Sequence, residues 1–175
     1  MSQNFDVIVV GLGAMGSATL YQLARLGIKA RGIDRFRPPH AFGSSHGESR
    51  ITRQAGGGAA VKVATEQYER EWSGESVPEA ALKDARHEMF QRHVHGRLRG
   101  VREPGIQSVS CLYSVTPDSG FVIDRHPGSD RAWIVSACSG HGFKHSAAVG
   151  EALARWVALG EPPGNLDKFS LKRFQ

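Results

Sequence analysis

The chain has 175 residues, 40% of them hydrophobic and 22% charged, with 21 glycines and a formal net charge of +5. This length suits one domain with a buried core, and the apolar content excludes an intrinsically disordered chain. No apolar run approaches the roughly 18 residues that a membrane-spanning helix needs, and two cysteines, Cys111 and Cys138, exclude a disulfide scaffold or a Cys-based zinc ribbon and suit a reducing cytoplasm. Met1–Asp6 carries no basic stretch ahead of Val7–Val10, so no secretory leader is expected. The basic balance, 22 Lys and Arg against 17 Asp and Glu, suits nucleic acid or anionic small ligands such as dinucleotides and carboxylates.

Phe5–Val10 is β-branched and almost continuously apolar, the pattern of a buried parallel strand. Gly11-Leu12-Gly13-Ala14-Met15-Gly16 follows at once, and a helix is expected behind it, with Ala14, Ala18 and Tyr21 on one face and Gly27 as its stop. Lys29–Ile33 predicts a second strand ending at Asp34. In this setting the GxGxxG spacing has a mechanism. Gly11 permits the tight turn, Gly13 lets a pyrophosphate approach the backbone, and Gly16 lets helix and strand pack closely. The unpaired N–H groups at the helix start face the phosphates. Asp34 lies 18 residues after Gly16, where a carboxylate can accept a ribose hydroxyl bond and disfavours a 2′-phosphate. The turn does not separate NAD from FAD, and an ordinary ligand-free β-turn-α unit has the same outline.

Ser44–Arg53 is a polar loop with two arginines and a histidine, suited to a carboxylate or phosphate and equally to plain solvation. Ser76-Val77-Pro78-Glu79 has capping-box spacing ahead of a helix whose apolar stripe is Leu82, Ala85 and Met89. Arg86, Arg92, His93, Arg97 and Arg99 make its far half basic, matching the negative end of the helix dipole. His93 and His95 are two apart and share no helix face, so no metal is expected there. No aromatic platform interleaves with the basic residues, so nucleic acid is not expected either.

Cys111–Val115 and Gly120–Asp124 predict short strands around a Thr116–Ser119 turn, and Ala132–Ala137 predicts another. Ser139-Gly140-His141-Gly142 is a tight turn opening a helix with Val149, Leu153 and Trp156 on one face, ended by Gly160 and Pro162-Pro163. The backbone N–H groups at this second helix start suit an electron-rich ligand atom, and Lys144 adds a charge, or else extends into solvent. Taken alone, both cysteines read as small core residues.

Five stretches together resemble the family of monomeric sarcosine oxidase and N-methyl-L-tryptophan oxidase: DVIVVGLGAMGSATLYQLARLGIKARGIDRFRPPH, GSSHGESRITR, CLYSVTPDSGFVIDRHP, SGHGFKHSAAVGE and FSLKRFQ. VKVATEQYER, residues 61–70, resembles a strand late in the family's substrate domain. These are FAD-dependent amine oxidases of the glutathione-reductase-type fold. The resemblance implies an α/β, Rossmann-like FAD-binding fold. Here it is incomplete, since the pattern jumps from near Arg53 to near Gly58, and it keeps a remnant of an antiparallel substrate domain. On that basis residues 1–55 are the N-terminal FAD-binding part, 56–107 the substrate-domain remnant, and 108–175 the C-terminal part of the FAD-binding domain.

The resemblance also implies roles. Gly11, Gly13, Gly16 and Asp34 would hold the ADP half of FAD, with Gly142 at the flavin end, and Cys111 would form a thioether to the isoalloxazine ring. His46 and Arg50 match residues packed near the flavin, and Tyr113 matches an aromatic bordering the substrate pocket. Arg53 and Lys144 match the pair holding the substrate carboxylate, and Lys62 matches the lysine that activates oxygen. Glu66 stands where the family often has a pocket histidine. The implied activity is oxidation of an N-methyl amino acid such as sarcosine or N-methyl-L-tryptophan, giving the demethylated amino acid, formaldehyde and hydrogen peroxide. A cytoplasmic monomer is expected. The alternative is a shortened, inactive relative that binds a nucleotide weakly or not at all.

Overall fold

Strands β1 (Val7–Val10) and β2 (Ala30–Ile33) pair in parallel, with Val7 opposite Ala30 and Val10 opposite Ile33. Helix α1 (Ala14–Arg25) joins them, as a parallel crossover requires. This is a computed structural model, and it describes residues 4–40, 42–45, 79–100, 102–105, 114–164 and 166–175. The chain divides into two units, one of Met1–Thr52 with Tyr113–Gln175, the other of Arg53–Leu112.

β1 is shorter than its apolar run suggests. At that end the Asp6 N–H still donates to the Lys29 carbonyl at 2.8 Å, while the Lys29 N–H goes to the Asp6 carboxylate at 3.1 Å. Nor is β1 covered on both faces. Val7 and Val9 are half-buried, whereas Ile8 is 58% and Val10 81% exposed. The buried face of α1 is also not the expected stripe. Thr19 and Leu23 are buried, and Tyr21 is exposed beneath the Arg25 guanidinium. Thr19 is tolerated there because its hydroxyl donates to the Met15 carbonyl at 2.9 Å. Gly32 sets how closely α1 lies on β2, because a Cβ at this position would come within 3.0 Å of the Leu12 and Leu20 methyls. Gly27, at φ +75°, ends the helix as the sequence predicts.

The C-terminal half of the same unit builds an antiparallel pair, β3 (Val122–Arg125) and β4 (Trp133–Ser136), with Val122 opposite Ser136 and Arg125 opposite Trp133. A 3₁₀ turn, Phe143–His145, leads into helix α3 (Ser146–Leu159), which Gly160 ends at φ +70°. Phe121, Ile123, Ala137, Leu153 and Trp156 form the buried core, with Met15, Val149 and Phe169 packed against it. The predicted α3 face is therefore the face it buries. No strand forms at Ser114–Val115; the Ser114 carbonyl instead accepts one bond, from the Ser139 N–H at 2.9 Å.

Two carboxylates strap the C-terminal residues to this half. Asp124 accepts from the Ser170 hydroxyl at 2.7 Å and from the Leu171 N–H at 2.8 Å, and Asp118 accepts from Arg173 Nε at 2.6 Å. These bonds hold both carboxyls below the usual carboxylate range; for Asp118 the Arg173 hydrogen bond is the largest cause, for Asp124 the Ser170 bond.

In the other unit, helix α2 (Glu79–Met89) runs into a π-helical turn, Phe90–Val94, whose Phe90 and Val94 are buried. His87 Nδ1 meets the Glu103 carboxylate at 2.9 Å. Ser76–Pro78 and the Leu82 side chain lie outside the described residues.

Candidate functional site

The first helix start is built by three glycines and one acid. Gly11 directly follows β1 at φ +90°, a conformation that suits glycine. Its N–H donates to the Ile33 carbonyl at 2.8 Å, tying the turn to the end of β2. A Cβ on Gly16 would lie 1.8 Å from the Gly11 carbonyl oxygen, so only glycine fits where the helix crosses the strand end. Gly13 is the N-cap of α1; it supplies no side-chain cap, and the first turn carries no acid. The N–H groups that every helix start leaves without intrahelical acceptors therefore get no acceptor from the helix's own first turn. The Ala14 N–H is taken by the Ser45 hydroxyl at 3.0 Å.

Asp34 closes this turn. Its Oδ2 accepts from the Leu12 N–H at 2.6 Å, and its Oδ1 accepts from the Phe36 N–H at 3.1 Å with His40 Nε2 at 3.4 Å. The Leu12 bond, then the Phe36 bond, hold the carboxyl below its ordinary range. A carboxylate has about four acceptor positions. These contacts use three, and the side chain keeps 12% of its surface exposed, so one ligand hydroxyl can still be accepted.

The second helix entry shares one close contact with the first, although Gly16 lies inside α1 whereas Gly142 precedes the 3₁₀ turn that leads into α3. Ala137 directly follows β4 as Gly11 follows β1, and Gly142 stands as far behind it as Gly16 behind Gly11. A Cβ on Gly142 would lie 1.7 Å from the Ala137 carbonyl oxygen. The turn between passes through Ser139 at φ +44° and Gly140 at φ +74°. Ser139 is buried, with its hydroxyl 3.4 Å from both the Thr116 hydroxyl and the Gly120 carbonyl. His141 stacks on Phe121 at 4.8 Å and places Nε2 3.0 Å from the Ser119 carbonyl. Lys144 Nζ donates to the His141 carbonyl at 3.1 Å, so the ammonium is held at the turn. Burial, then the neighbouring Lys144 and His141, push the His145 pKa down.

The two starts come together through the helices behind them. Gly150 of α3 meets α1 so closely that a Cβ there would lie 2.6 Å from Ala18 Cβ and 2.8 Å from Thr19 N. Ala18 is four residues into α1 and Gly150 four into α3, about 6 Å of helix each, with Gly142 a further 3₁₀ turn ahead of Ser146. Met15, in the first turn of α1, packs on the cluster that contains Ala137. Two helix starts from opposite ends of the sequence are thus carried into one neighbourhood by a packed helix pair.

Gly11, Gly13, Gly16 and Asp34 are brought together, and Gly142 and Lys144 form the second start. His46, Arg50, Arg53, Lys62, Glu66, Cys111 and Tyr113 lie outside the described residues. Sequence reasoning missed Ser45 as the acceptor at the first helix start. Its only signal was a pair of serines in a polar loop, and the loop's path depends on contacts distant in sequence.

The sequence pattern of the family described as FAD dependent oxidoreductase matches residues 51–156, more than half of the chain. That stretch begins beyond Gly11–Gly16, so the glycine turn and the family match are independent observations. Over 57 residues the chain is 58% identical to monomeric sarcosine oxidase of Bacillus sp. (strain B-0618), covering 33% of this chain and 15% of that protein. It is 54% identical over 55 residues to monomeric sarcosine oxidase of Streptomyces avermitilis, covering 31% and 14%. It is 39% identical over 70 residues to N-methyl-L-tryptophan oxidase of Yersinia pestis (strain Pestoides F), covering 40% and 19%. The matched stretches therefore span less than a fifth of these curated relatives. No solved structure matches the chain.

Proposed function

The chain belongs to the FAD-dependent oxidoreductase family, and on that premise we propose that it is an oxidase of N-methyl amino acids that takes sarcosine or N-methyl-L-tryptophan, oxygen and water to the demethylated amino acid, formaldehyde and hydrogen peroxide. The observation that carries the reading is the Gly11–Gly16 turn locked to Asp34. When bound, FAD supplies the two-electron acceptor for the C–N bond and passes the electrons to oxygen. The relatives that share sequence with the chain are named for sarcosine and N-methyl-L-tryptophan, which supports the substrate class.

In this reading Gly11, Gly13 and Gly16 admit the pyrophosphate to the amides of α1, and Asp34 accepts a ribose hydroxyl. The Gly142 helix start stabilises negative charge at the flavin end through its dipole. Lys144 has three N–H donors and gives one to His141, so two remain for a substrate carboxylate. By the family resemblance alone, Arg53 would share that carboxylate and so orient the C–N bond, Cys111 would carry the covalent attachment, His46 and Arg50 would serve the flavin, Tyr113 the pocket, and Lys62 would favour electron transfer to oxygen by its charge. The fold is then the FAD-binding half of the family's architecture with a remnant of its substrate domain.

A second reading, an inactive relative that holds nucleotide weakly, is favoured by Ile8 and Val10. They stand exposed on β1, a strand whose apolar run suits burial on both faces. One experiment separates the two. The purified chain is denatured in acid and the yellow colour followed. Colour staying with the polypeptide, its loss in Cys111→Ala, and peroxide release with either N-methyl substrate are expected. A colourless chain, or bound flavin without peroxide from both substrates, refutes the oxidase reading.

A further inference from the structure

Three aromatic rings lie directly behind Asp34. Phe36 and Phe42 have centroids 4.5 Å apart, His40 meets Phe36 at 5.3 Å edge-on, and His40 lies 5.9 Å from Phe42. The cluster is chained to the acid through the imidazole. The Phe42 N–H donates to His40 Nδ1 at 3.3 Å, which makes Nδ1 the acceptor and puts the neutral ring's proton on Nε2, 3.4 Å from Asp34 Oδ1. Phe36 is chained as well, since its own N–H donates to the same oxygen. Yet Phe42 leaves 75% of its surface in water. Three rings held in fixed order against a carboxylate, with the outermost uncovered, form a stacking surface.

We infer that this cluster holds the adenine of the dinucleotide, with Phe42 as the face on which the base stacks. The inference rests on the dinucleotide reading above and assigns the part of that ligand which the glycine turn and Asp34 leave unplaced. The base is bonded to the ribose carbon next to the one bearing the 2′-hydroxyl. A carboxylate that takes a ribose hydroxyl therefore has the base as its immediate neighbour. On the other side of the ribose runs the pyrophosphate, which the amides of α1 attract. A flat purine gains from an aromatic partner, and the gain does not depend on reading its edge. The ligand class is an adenosine diphosphate group, whether free or as half of FAD.

The test measures binding of ADP, CDP and FAD to the whole 175-residue chain carrying Cys111→Ala, stripped of flavin so that the site is open and serving as the parent for the variants below, by calorimetry and by quenching of FAD fluorescence. Stacking is worth about 1–3 kcal/mol per base, so Phe42→Ala is expected to weaken ADP and FAD by about tenfold or more. It should also narrow the preference for ADP over CDP. Phe42→Trp keeps a π face and should hold affinity near that of the parent, while Phe42→Leu should behave as alanine does. Because Phe42 is exposed, its variants are expected to melt with the parent. Equal ADP affinity in Phe42→Ala and the parent overturns the adenine assignment while leaving the dinucleotide reading in place. A parent chain that binds neither ADP nor FAD overturns both.

Discussion

Gly150→Ala pits two known effects against each other. Replacing glycine inside a helix ordinarily stabilises by about 1 kcal/mol. Here the new methyl would lie 2.6 Å from Ala18 Cβ, 2.7 Å from Ala18 C and 2.8 Å from Thr19 N. Two of those atoms are backbone of the facing helix and cannot rotate away. Ordinary contact needs about 3.5–4.0 Å, so α1 and α3 must separate by about 1 Å. Overpacking of this kind costs about 1–3 kcal/mol, and the backbone collision puts it at the upper end. The net expectation is a loss of about 1–2 kcal/mol, or about 2–8 °C in Tm for a chain of this size, measured by circular dichroism. Adding Ala18→Gly removes the nearest atom and should restore part of the loss, but not all. A Tm equal to or above that of the parent refutes the close approach, and with it the argument that the two helix starts share one neighbourhood.

Gly142→Ala should cost far more than Gly11→Ala in thermal melts, because the first drives a methyl to 1.7 Å from a carbonyl oxygen while the second has nothing within 4 Å and meets only its left-handed φ of +90°. Asp34→Ala should lower FAD and ADP affinity by about tenfold or more, since it removes a charged acceptor from the ligand and from the Leu12 amide; binding titrations check this. The straps at Asp118 and Asp124 predict an acid limb. Both carboxyls are held below their usual range, so their stabilisation is present above the ordinary aspartate value of about 3.9 and is lost as pH falls through it towards the lowered folded values. Fluorescence melts between neutral and acid pH should show that limb, and the double variant Asp118→Asn, Asp124→Asn should flatten it.

The local punctuation of this fold is legible in the sequence. Gly27 and Gly160 end helices where expected, the Gly11–Gly16 turn sits between a strand and a helix, and the Val149, Leu153, Trp156 face is the one α3 buries. What periodicity misreads is which face meets what. Thr19 is buried and Tyr21 exposed on α1 because α3, from the far end of the chain, packs there, and the hydroxyl of Thr19 is satisfied within its own helix. The strand end at Asp6 was hidden for a different reason: a side chain, not the apolar pattern, takes the Lys29 amide. Within the site, Gly11, Gly16 and Asp34 follow from spacing alone, because one continuous segment builds them. Ser45, and the parallel between Gly16 and Gly142, need the fold, because each depends on how distant segments approach.

The crossing of Ala18 and Gly150 also bears on how the molecule comes into being. About three quarters of the 175-residue chain separates these two residues, so during synthesis at about 5–20 residues per second the first turn waits on the order of ten seconds for its helical partner. Until α3 leaves the ribosome, the surface around Ala18 and Thr19 lacks its closest partner, and the nascent β-turn-α unit has only its own two strands to pack on.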